Sequence, residues 1–303
     1  MKTTPATADI DDLVTVRDWL RYATSRFAEA GLVFGHGTET ALDEAAYLIL
    51  SVLSLPVDQL EPWLDARLTR RERKRLFETV KARIETRKPA PYLVGAAWIR
   101  GHRFTVDERV IVPRSYIGEL LDEGLSAVVP DPDGVERVLD LCTGSGCLAI
   151  LAALTFPEAS VDAADISTDA LDVAARNVAD YGLESRVRLV RSDLFAGLEG
   201  AAYDLILSNP PYVTAEAVAA FPPEYASEPE LAHLGGTDGL DLVRRILKAA
   251  PAHLAADGML VVEVGRARDR LETEYPDLPF LWLDTEQSEG EVFALSAEAL
   301  AKR

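Results

Sequence analysis

The apolar run Tyr203-Asp204-Leu205-Ile206-Leu207-Ser208 stops at Asn209-Pro210-Pro211-Tyr212, and this junction constrains the fold more than any other stretch. A run of that kind reads as a buried parallel strand. Two successive prolines lack amide hydrogens and disfavour helix at the residue before them, so the chain must leave the sheet stiffly. An amide side chain, a proline carbonyl and an aromatic ring are thereby collected at the carboxyl end of a strand, where open α/β sheets bind ligands. The chemistry that suits these groups is that of a planar nitrogen nucleophile, an amide or an aromatic amine, whose lone pair is delocalised. The Asn209 side-chain oxygen and the Pro210 carbonyl could each accept one of its hydrogens. That would favour a lone pair directed at an electrophile, with Tyr212 packed on the flat group. Taken alone, the four residues also fit a proline-stiffened turn.

The preceding segments narrow the choice. Val138 to Ile150 runs from strand through Cys142-Thr143-Gly144-Ser145-Gly146 into helix, with Gly144 and Gly146 allowing a tight turn and close backbone approach by a ligand. The turn lacks the third glycine of a dinucleotide fingerprint and the Gly-Lys-Ser/Thr of a P-loop. A nucleoside with a small polar tail therefore suits it better than a pyrophosphate. Ser160 to Ala164 reads as a second strand, and Asp165 ends it 19 residues beyond Gly146, where a carboxylate can accept both hydroxyls of a ribose. Val187 to Arg191 is a third strand, followed by Ser192-Asp193-Leu194. Asp193 could meet the exocyclic amine of an adenine and Leu194 its face. An acid after one strand is an ordinary helix cap. The set Asp140, Asp165 and Asp193, followed by the Asn-Pro-Pro-Tyr strand, points instead to an adenosine-containing cofactor.

Strands alternating with helices imply a mostly parallel sheet with right-handed crossovers. Further strands are expected at Gly258 to Val264, Phe280 to Asp284 and Glu291 to Ser296, the last two forming an antiparallel hairpin. Residues 213–257 read as a long irregular insertion, either a substrate loop or a packed surface excursion.

The first hundred residues have a different texture. Val16 to Ala30, Ala41 to Leu53 and Thr69 to Arg87 carry apolar residues at helical spacing, the third capped by Thr69. That third helix bears Arg70, Arg71, Arg73, Lys74 and Arg75, either a solvated face or a contact for a partner or RNA. His36, in a Gly-punctuated loop, reads as structural. Trp98 to Phe104 suggests a hairpin continued by Arg109 to Val112. The organisation expected is a helical substrate-recognition domain over 1–90, a hairpin linker over 91–114 and a catalytic domain over 115–303.

Charge separates the two ends of the chain. Residues 1–114 hold 18 Lys and Arg against 16 Asp and Glu, whereas residues 115–303 hold 13 against 34. So acidic a body binds phosphate backbones poorly and suits a basic protein partner, although a merely acidic surface has the same composition. Four scattered histidines make no metal-ligand spacing, and no apolar run nears the roughly 18 residues that span a bilayer. Asp9, Asp11 and Asp12 interrupt the start, so a secretory signal is not expected there. Cys142 and Cys147 share one turn and suit a reducing cytoplasm.

These motifs resemble those of the class I S-adenosylmethionine-dependent methyltransferases, which have a Rossmann-like, mostly parallel seven-stranded sheet. Within them the chain is similar to the HemK/PrmC/PrmB group of protein glutamine methyltransferases. The similarity spans the helical N-terminal part, Val112-Pro113-Arg114, Asp140 to Gly146, Asp165, Asn209 to Tyr212 and Gly235-Gly236-Thr237-Asp238-Gly239-Leu240. Most of the group has glycine where this chain has Cys142. The release-factor-modifying branch continues its Pro-Arg motif with Pro-x-Thr-Glu, whereas here Ser115-Tyr116-Ile117-Gly118-Glu119 follows, one residue longer before the acid. That departure, with Arg17 to Arg21, Phe34 to Thr38 and Gly101 to Phe104, is similar to the PrmB branch, which methylates a glutamine of large-subunit ribosomal protein L-three.

The resemblance implies direct in-line transfer to the glutamine amide nitrogen. It implies that Asp140, Cys142, Thr143, Gly144, Ser145, Gly146, Asp165, Asp193, Leu194 and Asn209 hold S-adenosyl-L-methionine. It also implies that Arg114, Asn209, Pro210, Pro211 and Tyr212 meet the substrate, with Asn209, Pro210 and Tyr212 the catalytic groups. No metal is called for, and nucleic acid is not required, although Arg70 to Arg75 could touch it. Rival readings are a release-factor methyltransferase, a nucleic-acid adenine or cytosine amino-methyltransferase sharing the Asn/Asp-Pro-Pro-Tyr device, and a non-enzymatic ribosome assembly factor. A dehydrogenase is weakly supported, for want of the third loop glycine.

Overall fold

The computed structural model describes residues 10–302. They divide into two compact units: residues up to Ala96 together with Phe221–Ser227, and Ala97–Ala220 together with the residues from Glu228 onward.

The first unit is built on helices α1 (Val16–Glu29), α2 (Ala41–Leu53) and α3 (Arg70–Thr86). Each begins at a threonine, Thr15, Thr40 or Thr69, whose hydroxyl accepts the amide three residues on. At Thr15 and Thr69 the residue at that position, Asp18 or Glu72, returns a bond to the cap amide. Such caps contribute on the order of 1 kcal/mol each. The apolar stripes then close on one another through Trp19, Phe27, Leu48, Ile49, Leu76 and Val80. Burying each of these side chains is worth about 1.5–3 kcal/mol. Inside the unit lies an ion cluster that no local pattern announces. Fully buried Arg83 donates from Nε to Glu44 Oε1 at 2.6 Å, while buried Glu224 accepts from Arg87 Nε at 2.9 Å and from the Val33 amide at 3.0 Å. His36 is buried with its ring centroid 4.4 Å from that of Tyr225. On α3, Arg70, Arg71, Lys74 and Arg75 are exposed, and Arg73 donates to the Asp11 carbonyl at 2.9 Å.

A hairpin of β1 (Ala96–Ile99) and β2 (His102–Thr105) follows. The continuation expected over Arg109 to Val112 is not a strand. The Asp107 carboxylate accepts the Arg109 amide and guanidinium and folds the chain into a turn, and the Val112 amide donates to the Glu228 carboxylate rather than to a ladder.

The second unit is a seven-stranded sheet of β3 (Arg137–Leu141), β4 (Ser160–Asp165), β5 (Val187–Arg191), β6 (Tyr203–Ser208), β7 (Leu254–Glu263), β8 (Leu281–Leu283) and β9 (Val292–Ser296). The spatial order is β5-β4-β3-β6-β7-β9-β8, parallel as far as β7, with β9 antiparallel to both β7 and β8. Both faces are covered. Val138, Leu207 and Val261 enter one core, while Leu139, Ile206 and Val262 enter the other, which is why successive residues of these strands are apolar rather than alternating with polar ones. The excursion expected over 213–257 is shorter than its sequence suggests. Helix Asp241–Ala249 occupies part of it with Val243, Ile246 and Leu247 buried, and β7 starts at Leu254. Arg244, Arg245 and Lys248 lie on the face away from that stripe.

Candidate active site

The sheet reverses its winding between β3 and β6, the switch point at which ligands bind outside the carboxyl ends. Register brings those ends abreast: Leu141 pairs with Ala164 on one side and Ser208 on the other, and Asp165 pairs with Arg191. The residues that follow each strand therefore converge. A cavity of about 410 Å³ opens there, lined by Cys142, Gly144, Asp165, Asp193, Leu194 and Asn209, among others.

One side of the cavity is made largely of backbone. Cys142, Gly144 and Gly146 all have positive φ, at 62°, 56° and 80°, so the turn enters the left-handed region three times in five residues. Cys142 pays for this without glycine's freedom, at about 1–3 kcal/mol of local strain. Asp165 stands over the turn. Its Oδ2 accepts the Gly144 amide and its Oδ1 the Ser167 amide, both at 2.9 Å, and burial raises its pKa. Each oxygen keeps a lone pair for a further donor. Leu194, with φ of 51°, presents an apolar wall, and Asp193 is joined to Arg245 at 2.8 Å.

Asp140, Thr143, Ser145 and Gly146 do not line the cavity but lie behind it. Asp140 is fully buried. Its Oδ2 accepts the Thr143 hydroxyl at 2.5 Å and the Ala149 amide at 3.0 Å, tying the turn and the following helix to β3. Its Oδ1 has no partner among the described residues, and burial pushes its pKa up to about 7. Asn177 braces the turn from outside. Its amide nitrogen donates to the Ser145 and Thr105 carbonyls at 2.8 and 3.0 Å, and its oxygen accepts the Thr105 amide at 2.7 Å.

The other side is built from side chains brought together across the chain. Asn209 reaches the cavity, with Pro210 buried behind it and Pro211 on the lining. Tyr212 is off the lining, its hydroxyl donating to Glu263 Oε1 at 3.1 Å. Arg114 is off it too, and grips Glu228 through both terminal nitrogens, at 2.7 and 2.9 Å. The glycines of the Gly235 to Leu240 motif let main chain lie on main chain. A Cβ on Gly235 would come within 2.7 Å of the Pro211 oxygen, and one on Gly239 would overlap the Tyr212 carbonyl. The Val213 amide bonds to the His233 carbonyl and the Gly235 amide to the Val213 carbonyl, each at 2.9 Å. Asn177 and Glu263 are lone polar residues with no motif around them in the sequence, and Glu228-Pro229 stands out there only as part of the irregular 213–257 stretch. The one available signal was Glu263 closing an apolar strand.

Sheet and cavity together define a class I methyltransferase. Residues 119–221 match the family model "Methyltransferase small domain", and residues 18–95 match "PrmC N-terminal domain". The chain is 57% identical over 289 residues to the ribosomal protein uL3 glutamine methyltransferase of Bordetella pertussis, covering 95% of this chain and 97% of that one. The protein of the same description from Bradyrhizobium diazoefficiens is also 57% identical, over 95% of this chain and 92% of its own. The catalytic domain of hMettl16, solved with an RNA hairpin, superposes with a TM-score of 0.50 over 75% of this chain and 81% of its own, at 15% identity, a likeness of fold. The chain belongs to the family of ribosomal protein uL3 glutamine methyltransferases.

Proposed function

We propose that this protein transfers a methyl group from S-adenosyl-L-methionine to the side-chain amide nitrogen of a glutamine in large-subunit ribosomal protein uL3. The observation that carries the reading is the placement of Asn209-Pro210-Pro211-Tyr212 at the switch point, one strand across from a Gly-rich turn and a cavity of nucleoside size. The near full-length likeness to curated relatives of that description supports the substrate.

The cavity suits the donor. Asp165 has lone pairs free to accept ribose hydroxyls, Leu194 walls the base, and the turn from Cys142 to Gly146 offers backbone to the amino-acid tail. Asp193 reaches the adenine amine only alongside its bond to Arg245. Bound there, the donor supplies an electrophilic methyl. The Asn209 side-chain oxygen and the Pro210 carbonyl accept the two hydrogens of the substrate amide and aim its nitrogen, with Tyr212 against the amide plane. Most of the acceleration comes from this alignment, and the product's proton passes to water. Arg114 acts on the substrate segment through its fixed pairing with Glu228.

Ribosomal proteins are basic, and the 34 acids over residues 115–303 complement such a partner. The setting is the cytoplasm. Nucleic acid is not needed for the chemistry, and the exposed cations of α3 are the part of the chain best suited to phosphate. Radiolabelled S-adenosylmethionine offered with purified uL3, release factors and ribosomal RNA in parallel tests the proposal. Label confined to one glutamine of uL3, located by mass spectrometry, is the expected result. Label in release factors would keep the chemistry and change the substrate; label only in RNA would overturn the glutamine reading.

A further inference from the structure

β7 ends on a buried carboxylate that the scheme above does not use. Glu263 is 1% exposed and receives three donors: the Tyr212 hydroxyl on Oε1 at 3.1 Å, and the Ser115 hydroxyl and Tyr116 amide on Oε2 at 2.6 and 2.9 Å. The ionised carboxylate can accept all three, whereas the protonated one would turn one of the two hydroxyls from donor to acceptor. The bonds join two segments far apart in the chain: the residues that follow Arg114, and the last residue of the Asn-Pro-Pro-Tyr motif. Two residues beyond, Gly265 (φ 52°) leaves room that a side chain would fill, since a Cβ there would lie 2.8 Å from Tyr212 Cε2. The Tyr212 ring is thus tied at its hydroxyl and packed along its edge on bare main chain.

We propose that Glu263 is a positioning residue for methyl transfer: it holds Tyr212 in the plane required by the substrate amide and couples that ring to the segment after Arg114. The inference deepens the glutamine-methyltransferase reading and rests on it. Orientation of this kind matters because a small misplacement of a group facing the nucleophile costs far more in rate than in binding. Burial pushes the Glu263 pKa up to about 7, so the ionised form is filled only as pH rises through neutrality. The other titratable and charged groups that face this cluster are Tyr116, Glu291, Cys147, Arg114 and Arg266. Glu291 disfavours the ionised form, as does burial, while the three donors favour it.

The test is a double-mutant cycle with Glu263→Gln and Tyr212→Phe, reading kcat, KM for uL3, cofactor Kd by calorimetry, and Tm. Each single variant should lose about tenfold or more in kcat while cofactor Kd stays within about threefold, and the double variant should be no worse than the weaker single. The rise in parental kcat through a pKa near 7 should vanish in Glu263→Gln. A Glu263→Gln protein with parental kcat and pH profile would overturn the inference, as would losses that multiply in the double variant. If Glu263→Gln fails to fold, Ser115→Ala with Tyr212→Phe probes the same carboxylate from its donors. Non-additive losses there support the coupling and additive ones overturn it. Should the parent methylate a protein other than uL3, the substrate reading fails, yet the cycle can be run on that protein.

Discussion

The two sides of the cavity are made in opposite ways. The cofactor side is local: a five-residue turn with three left-handed positions, a strand-end carboxylate whose oxygens accept neighbouring amides, and one apolar wall. The amide side is assembled from distant segments: Arg114 on Glu228, Tyr212 on Glu263 and Gly265, and Pro211-Tyr212 on Gly235 and Gly239. A cradle of main chain tolerates many side chains provided φ is permitted. A cradle of paired side chains fails when one partner goes, because the other is left buried and unmatched. Binding and catalysis should therefore separate by side.

The sharpest way to break that comparison is Asn209→Ala. Removing the group that aims the nucleophile should cut kcat by about a thousandfold, while cofactor Kd changes by no more than about threefold. Single-turnover methyl transfer and calorimetry read the two quantities, and equal losses would move Asn209 to the cofactor side. Asp165→Ala is the converse. Loss of charge-assisted hydrogen bonds to the cofactor should weaken its binding by roughly a hundredfold, with kcat at saturation nearly intact. A fall in kcat without a change in Kd would contradict the division.

Gly239→Ala tests the amide side without touching a polar group. The added methyl meets the Tyr212 carbonyl, a main-chain atom that cannot swing aside. A Tm loss equivalent to about 2–3 kcal/mol is expected. In the folded fraction kcat should fall and cofactor Kd hold; preserved kcat would show that Tyr212 tolerates displacement.

The prediction furthest from the reacting atoms concerns the brace behind the cofactor turn. Burial raises Asp140 to about 7 from its ordinary 3.8, so between these values the unfolded chain has released a proton that the folded chain keeps. Its stabilising contribution is complete below about 4 and declines as pH rises to about 7. Asparagine does not titrate. The stability of Asp140→Asn relative to the parent should improve between pH 4 and 7 and then level off, as followed by urea denaturation at each pH. A difference independent of pH would mean that Asp140 is already ionised in the fold.

Much of this molecule is legible from short-range pattern. The caps at Thr15, Thr40 and Thr69 and the strands β3, β4, β5 and β6 each follow from a few adjacent residues. So do the turn at Gly144 and the strand-end position of Asp165. Helix Asp241–Ala249 carries a plain helical pattern, Val243, Ile246 and Leu247 on one face and the cations on the other, and is obscured only by the irregular Gly-rich stretch that leads into it. Arg109 to Val112 passed for a strand because β-branched residues favour strands, and a carboxylate from Glu228 is what takes the Val112 amide instead.

The chain's local chemistry thus determined the strands, the caps, the cofactor turn and the stiff Asn-Pro-Pro-Tyr exit, because backbone preference and side-chain period act over a few residues. Only the tertiary structure decided which carboxylate answers which cation or hydroxyl: Glu228 for Arg114, Glu263 for Tyr212 and Ser115, Glu224 for Arg87. These pairings join residues separated by long stretches of chain. A single acidic residue looks the same in sequence whether it ends in solvent or is buried against its partner. Desolvation distinguishes the two, and desolvation is a property of the folded packing.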